Sequence, residues 1–82
     1  MYKRQLNYLK GVYKLKIDKR KLDIAMAIKS YSSLELSQCS GISQVTITRI
    51  KNGFQNPRPE TVGKIARALD VNVEDLIMKE GD

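Results

Sequence analysis

The chain has 82 residues, room for one domain with a modest core, and sets 15 lysines and arginines against 9 acids for a net charge of +6. No apolar run approaches the roughly 18–20 residues that span a bilayer. Lysine and arginine interrupt the N-terminus where a signal peptide needs an apolar core, and the single cysteine permits no intramolecular disulfide, which together fit a cytoplasmic protein.

The same composition argues against an enzyme. There is no histidine, no glycine-rich phosphate loop and no metal-ligand cluster, and nothing supplies an activating base or an oxyanion site. No cofactor, metal or small-molecule substrate is therefore expected. The placement of charge says more than its sum. Lys3, Arg4, Lys10, Lys14, Lys16, Lys19, Arg20 and Lys21 face only Asp18 within the first 21 residues, leaving the remainder near −1. No acid occurs between Glu35 and Glu60, a window that holds Arg49, Lys51 and Arg58, whereas Asp70, Glu74, Asp75, Glu80 and Asp82 gather toward the end. One region is locally positive and another locally negative, as suits a domain that binds a polyanion.

Residues 1–17 read as a basic N-terminal extension, 18–79 as the folded domain and 80–82 as a tail. Within the extension, Val12 to Ile17 alternates through Tyr13, Leu15 and Ile17, the pattern of a short strand with one apolar face. Met1 to Lys10 fits a frayed helix or an arm. An arm would cross a phosphate backbone or enter a minor groove; a dimerisation strand and a vector-derived or misassigned start are the alternatives.

The first helix is predicted to start at Asp18 as N-cap and to run to about Lys29, with Leu22, Ala25, Met26 and Ile28 or Lys29 on or near its buried side. Ser30-Tyr31-Ser32 connects it to a second helix, capped by Ser32 or Ser33 and ending near Ser40. Gly41 supplies the positive φ for a sharp turn. Ser43 caps a third helix, Gln44–Asn52. After the loop Gly53 to Arg58, Pro59 and Glu60 suit the first turn of a fourth helix reaching about Leu69, with Val62, Ile65, Ala66 and Leu69 at helical spacing. Asn72 then caps a short fifth helix that turns Val73, Leu76 and Ile77 inward. The fold expected is all-α, with five helices.

Ser33 to Gly53 is the most informative stretch. Two short helices meet at a glycine-containing turn, and Leu34, Leu36, Ile42, Ile47 and Ile50 can share one small core. Ile47 and Ile50 point one way on the third helix; Gln44, Val45, Thr48, Arg49 and Asn52 point the other. That outward face combines an amide, a hydroxyl, a guanidinium and a methyl-bearing side chain, the groups that read base edges and grip phosphates in a major groove. The reading is a helix-turn-helix DNA-binding domain.

From about Lys19 to Met78 the chain resembles the Cro and phage-repressor type of helix-turn-helix regulators, also called the xenobiotic-response-element family. The resemblance rests on the stretch above, on Arg49-Ile50-Lys51-Asn52-Gly53, and on Asn56-Pro57-Arg58-Pro59-Glu60-Thr61. It continues through Ile65 to Val71 and Val73 to Ile77. Relatives commonly contact bases from the position of Gln44, whose amide can pair with adenine; the side chains beside it extend the expected base contacts to Val45 on a thymine methyl, Arg49 on guanine or a phosphate, and Thr48, for which a phosphate is the alternative. Asn52 and Phe54 match places where relatives hold the DNA backbone, and Lys51 and Arg58 are natural phosphate partners. Ser32 and Ser33 at the second helix's N-terminus can receive a phosphate, as can Ser43. Two departures stand out. Relatives usually carry Gln where Ser33 stands, and many carry Arg at Met26 to pair with the equivalent of Glu35. Cys39 is expected to be a small buried or half-buried thiol, with no cationic neighbour to activate it.

The function expected is sequence-specific binding of double-stranded DNA by a small bacterial or phage transcriptional regulator, a repressor acting as a homodimer on a palindromic operator. Val71, Val73, Ile77 and Met78 offer one dimer surface; Tyr13, Leu15 and Ile17 offer another. An antitoxin-like or scaffold module using the same fold to bind protein is the alternative. In a chain of this length the self-cleaving domain that many phage repressors carry is not expected.

Overall fold

The computed structural model describes residues 15–78, which form four α-helices: α1 (Lys19–Lys29), α2 (Ser33–Ser40), α3 (Gln44–Lys51) and α4 (Pro59–Leu69). A single 3-10 turn, Val73–Asp75, stands where a fifth helix was expected. The physical reason lies just downstream. Ile77 makes an antiparallel bridge with Ile17, flanked by Asp18 N–H to Leu76 O at 2.8 Å and Met78 N–H to Lys16 O at 2.8 Å. This pairing holds Ile77 extended and ends the helical turn. It is also all that is seen of the strand read over 12–17, because residues 12–14 lie outside the described part.

The first three helices begin on polar side-chain caps, and all four end on a left-handed or capping residue. Asp18 Oδ1 accepts from the amides of Arg20 and Lys21 at 2.9 and 3.3 Å, satisfying donors that α1 cannot satisfy internally. The α1 end closes on Ser30 (φ 57°), whose N–H reaches Ala27 O while the Tyr31 N–H reaches Met26 O. Ser32 and Glu35 form a reciprocal capping box on α2, and Gly41 (φ 77°) terminates that helix. Ser43 caps α3 through the Thr46 amide at 3.2 Å. The same α3 ends one residue earlier than expected, at Lys51, with Asn52 as its C-cap. Pro59 opens α4, which ends on Asp70 (φ 58°).

The core is built from all four helices plus the paired segments around Ile17 and Ile77. Leu22, Leu36, Ile47, Val62, Ile65, Leu69 and Leu76 are fully buried, with Ile17 and Ile50 beside them. Tyr31, Ile42, Val71, Val73 and Ile77 pack against this cluster half-buried. Three expectations fail. Ile28 is 77% exposed and Lys29 is exposed as well, because they lie off the Leu22–Met26 stripe or at the open end of the helix. Leu34 is 50% exposed: with 3.6 residues per turn, positions two apart sit about 200° apart, so Leu34 and Leu36 cannot both face inward. Asn52 likewise stands outside the helix proper.

Candidate nucleic-acid interface

The α2–turn–α3 unit presents α3 outward by packing it against α2 and α1, with Ile47 and Ile50 buried. What remains on the other side is one surface. Gln44, Val45, Thr48, Arg49, Asn52 and Phe54 line a shallow depression of about 410 Å³. All six are exposed. Phe54 is brought there by the end of α3, where Gly53 (φ 78°) lets the Phe54 amide bond back to Arg49 O at 2.9 Å and its own amide bond to Ile50 O at 3.1 Å. The aromatic ring is 81% exposed and Val45 61% exposed. Four residues expected at base edges and two expected at phosphates therefore share one face, and none of them is acidic.

The remaining residues expected at the backbone divide by what their side chains already do. Ser32 Oγ accepts from the Glu35 amide at 3.1 Å, while Glu35 Oε1 accepts from the Ser32 amide at 2.9 Å. The bond from the Ser32 amide, with a smaller effect of the Ser32 hydroxyl, holds the Glu35 carboxyl below its usual range. So Glu35, left without the arginine that relatives place at Met26, is engaged by Ser32 on its own helix; Met26 itself is buried in the core. Ser43 Oγ caps the Thr46 amide and donates to Thr46 Oγ1 at 2.8 Å. Ser33 sits within reach of α3: Lys51 Nζ donates to its hydroxyl at 3.5 Å. Arg58 precedes α4, exposed, with no side-chain capping bond.

Two features escaped the sequence reading. Cys39 is exposed rather than buried, because α2 turns Leu36 inward and carries Cys39 round to the rim. There it shares a depression of about 310 Å³ with Lys64 and Arg67 of α4, cations that stand 25 and more positions away in sequence. The Tyr31 phenol is raised above its ordinary value, chiefly by a hydrogen bond with Cys39. The i, i+3 spacing of Lys64 and Arg67 marks a shared helix face, but only the fold brings that face to Cys39.

The profile of the Cro/C1-type HTH DNA-binding domain matches residues 21–81. The chain belongs to this family. Membership places it among DNA-binding domains of transcription regulation. Over 48 residues it is 42% identical to the HTH-type transcriptional repressor RghR of Bacillus subtilis (strain 168), a match covering 57% of this chain and 36% of that protein. The chain thus spans little more than a third of that relative. Its fold also superposes on part of a point mutant of hydroxyethylphosphonate dioxygenase with a TM-score of 0.70 and 21% identity, covering 82% of this chain and 14% of that one. At that identity the likeness speaks for the helical fold alone. Among the described residues no helix is long and apolar enough to cross a membrane, and no three His, Cys, Asp or Glu side chains cluster as metal ligands would.

Proposed function

We propose that the chain is a cytoplasmic repressor that binds a palindromic operator as a homodimer, with α3 in the major groove. The observation that carries this reading is the acid-free face of Gln44, Val45, Thr48, Arg49, Asn52 and Phe54 around one depression. Gln44 opens α3, so its amide reaches furthest toward a base edge, and Arg49 follows one and a half turns later. Asn52 and Phe54 on that face, together with Lys51, Arg58, Ser32, Ser33 and Ser43, fix the register through phosphates. The repressor role follows the matched relative. One helix reads only half a site, and a dimer supplies the second. Its surface is formed by Val71, Val73, Ile77 and Met78, with Ile17 beside Ile77.

A second reading, a protein-binding module, is favoured by the exposed Val45 and Phe54 on the same face. Selection from random duplexes separates the two. Enrichment of an inverted repeat with half-sites about 34 Å apart supports the operator reading. Arg49→Ala then relaxes base preference at one position at a cost of about 1–3 kcal/mol, whereas Arg58→Ala weakens every duplex alike and flattens the salt slope by roughly 1. Equal losses on selected and random DNA by both variants would remove Arg49 as a reader. A protein that is monomeric at micromolar concentration and binds single half-sites would remove the dimer.

A further inference from the structure

The first turn of α1 has the wrong charge for its place. Lys19, Arg20 and Lys21 occupy it with no acid among them, although the exposed N–H groups of a helix start carry positive partial charge and disfavour cations. Lys21 has a structural use, since its ammonium donates to Ile77 O at 3.1 Å. Lys19 and Arg20 are exposed. Together with Lys16 they line a groove of about 750 Å³ whose lining includes Gly53, two residues past the end of the recognition helix. Two acids also line it, and one of them, Asp18, is turned onto the amides of Arg20 and Lys21 as a cap. Two carboxylates, Asp18 and Asp23, therefore stand against three cations, which leaves the lining with a net charge of +1.

We propose that this groove is a second DNA-backbone surface outside the helix-turn-helix, in which Lys16, Lys19 and Arg20 hold phosphates of the duplex flanking the bases read by α3. The inference rests on the DNA-binding reading above and extends its footprint. A polyanion is the partner that relieves three cations crowded at a positive helix end, and Gly53 in its lining places the groove next to the Asn52–Phe54 turn, where the backbone already passes in that reading. Phosphate contacts of this kind add affinity and salt dependence without sequence preference.

The test compares the full chain with a Lys19→Gln/Arg20→Gln double variant on two duplexes: one chosen by selection from random DNA with its flanks kept, and the same duplex trimmed to the selected bases. On the long duplex the wild-type affinity should fall between 50 and 200 mM salt roughly tenfold more than that of the variant, as expected for about two lost phosphate contacts. On the trimmed duplex the two proteins should bind alike, and base preference should be unchanged. The variant should melt at the same temperature or higher, because unfavourable charges leave the helix start. An equal salt response on the long duplex would overturn the proposal and leave the groove to an acidic protein segment. Equal loss on both lengths would overturn it too, by placing these cations within the core footprint. Wild-type protein that bound no duplex would instead overturn the parent reading, and this one with it.

Discussion

Lys51, on the last turn of α3, places its ammonium 3.5 Å from the hydroxyl of Ser33, the first residue of α2. The two are 18 positions apart, and the contact ties the end of one helix to the start of the other. It also sets a cation beside amides that carry positive partial charge. That arrangement is unfavourable by itself and becomes favourable once an anion bridges the ammonium and the α2 amides. A serine is too short to brace α3 as the glutamine of relatives does; Lys51 approaches from the opposite side.

Lys51→Gln should accordingly weaken binding to selected and random duplexes by the same factor and reduce the salt slope by about 1. Folding stability should move by no more than about 0.5 kcal/mol, since a 3.5 Å contact at the surface contributes little. Fluorescence anisotropy across a salt series, with a urea titration alongside, reads both. A loss confined to the selected duplex would make Lys51 a base reader instead.

Ser30 ends α1 with φ 57°, in a region where a β-carbon crowds the following carbonyl. Glycine has no such penalty, and nothing else in the Ser30 backbone bonding depends on a side chain. Ser30→Gly should stabilise the domain by about 0.5–1 kcal/mol, raising the melting midpoint by several degrees, roughly 4–8 °C per kcal/mol in a domain of this size. The gain should be smaller for Asp70→Gly, because aspartate tolerates the left-handed region better. Thermal melts of the two variants decide it; an unchanged or lowered Ser30→Gly midpoint would mean that the serine side chain contributes more than the strain costs.

Much of this fold was legible from local chemistry. Asp18, Ser32, Ser43, Gly41 and Pro59 each mark a helix boundary, because a cap or a positive φ is a short-range requirement that only a few residue types meet. The grouping of Gln44, Val45, Thr48 and Arg49 was equally readable, since one helical period fixes it. Leu34 and Ile28 failed for a local reason, the phase of the helix; other failures depended on distant partners. The fifth helix gives way to a turn because Ile77 pairs with Ile17, 60 positions earlier. Cys39 meets Lys64 and Arg67, and Lys51 meets Ser33, only through packing. The Ile17–Ile77 bridge also joins one residue from each of the two dimer surfaces that the sequence offered as rivals, so removing the N-terminal residues through 17 would disturb the pairing of Ile77.

Leu22 and Leu34 test the packing directly. Leu22 has no exposed surface and Leu34 is 50% exposed. Leu22→Ala should cost about 2–5 kcal/mol through lost burial and the cavity left behind, enough to unfold much of so small a domain. Leu34→Ala should cost well under half of that, because its side chain is only partly removed from water. Chemical denaturation of both variants ranks them, and comparable losses would mean that Leu34 is covered in solution.

The capping box on α2 makes stability depend on acid. Hydrogen bonds from the Ser32 amide and hydroxyl favour the Glu35 carboxylate and depress its pKa from an ordinary value of 4.5. A group depressed in the folded state binds its proton more readily when the chain unfolds. Its contribution is therefore fully present above about pH 4.5 and is lost as the pH falls through the folded-state value below it. Glu35→Gln keeps an acceptor for the Ser32 amide but has nothing to protonate. Wild type should thus be the more stable protein at pH 7, and the difference should shrink steadily as the pH is lowered from 5 to 3. Urea midpoints of the pair at each pH measure this. A difference that stayed constant across the range would mean that the Glu35 carboxylate has no preferred partner in the folded chain.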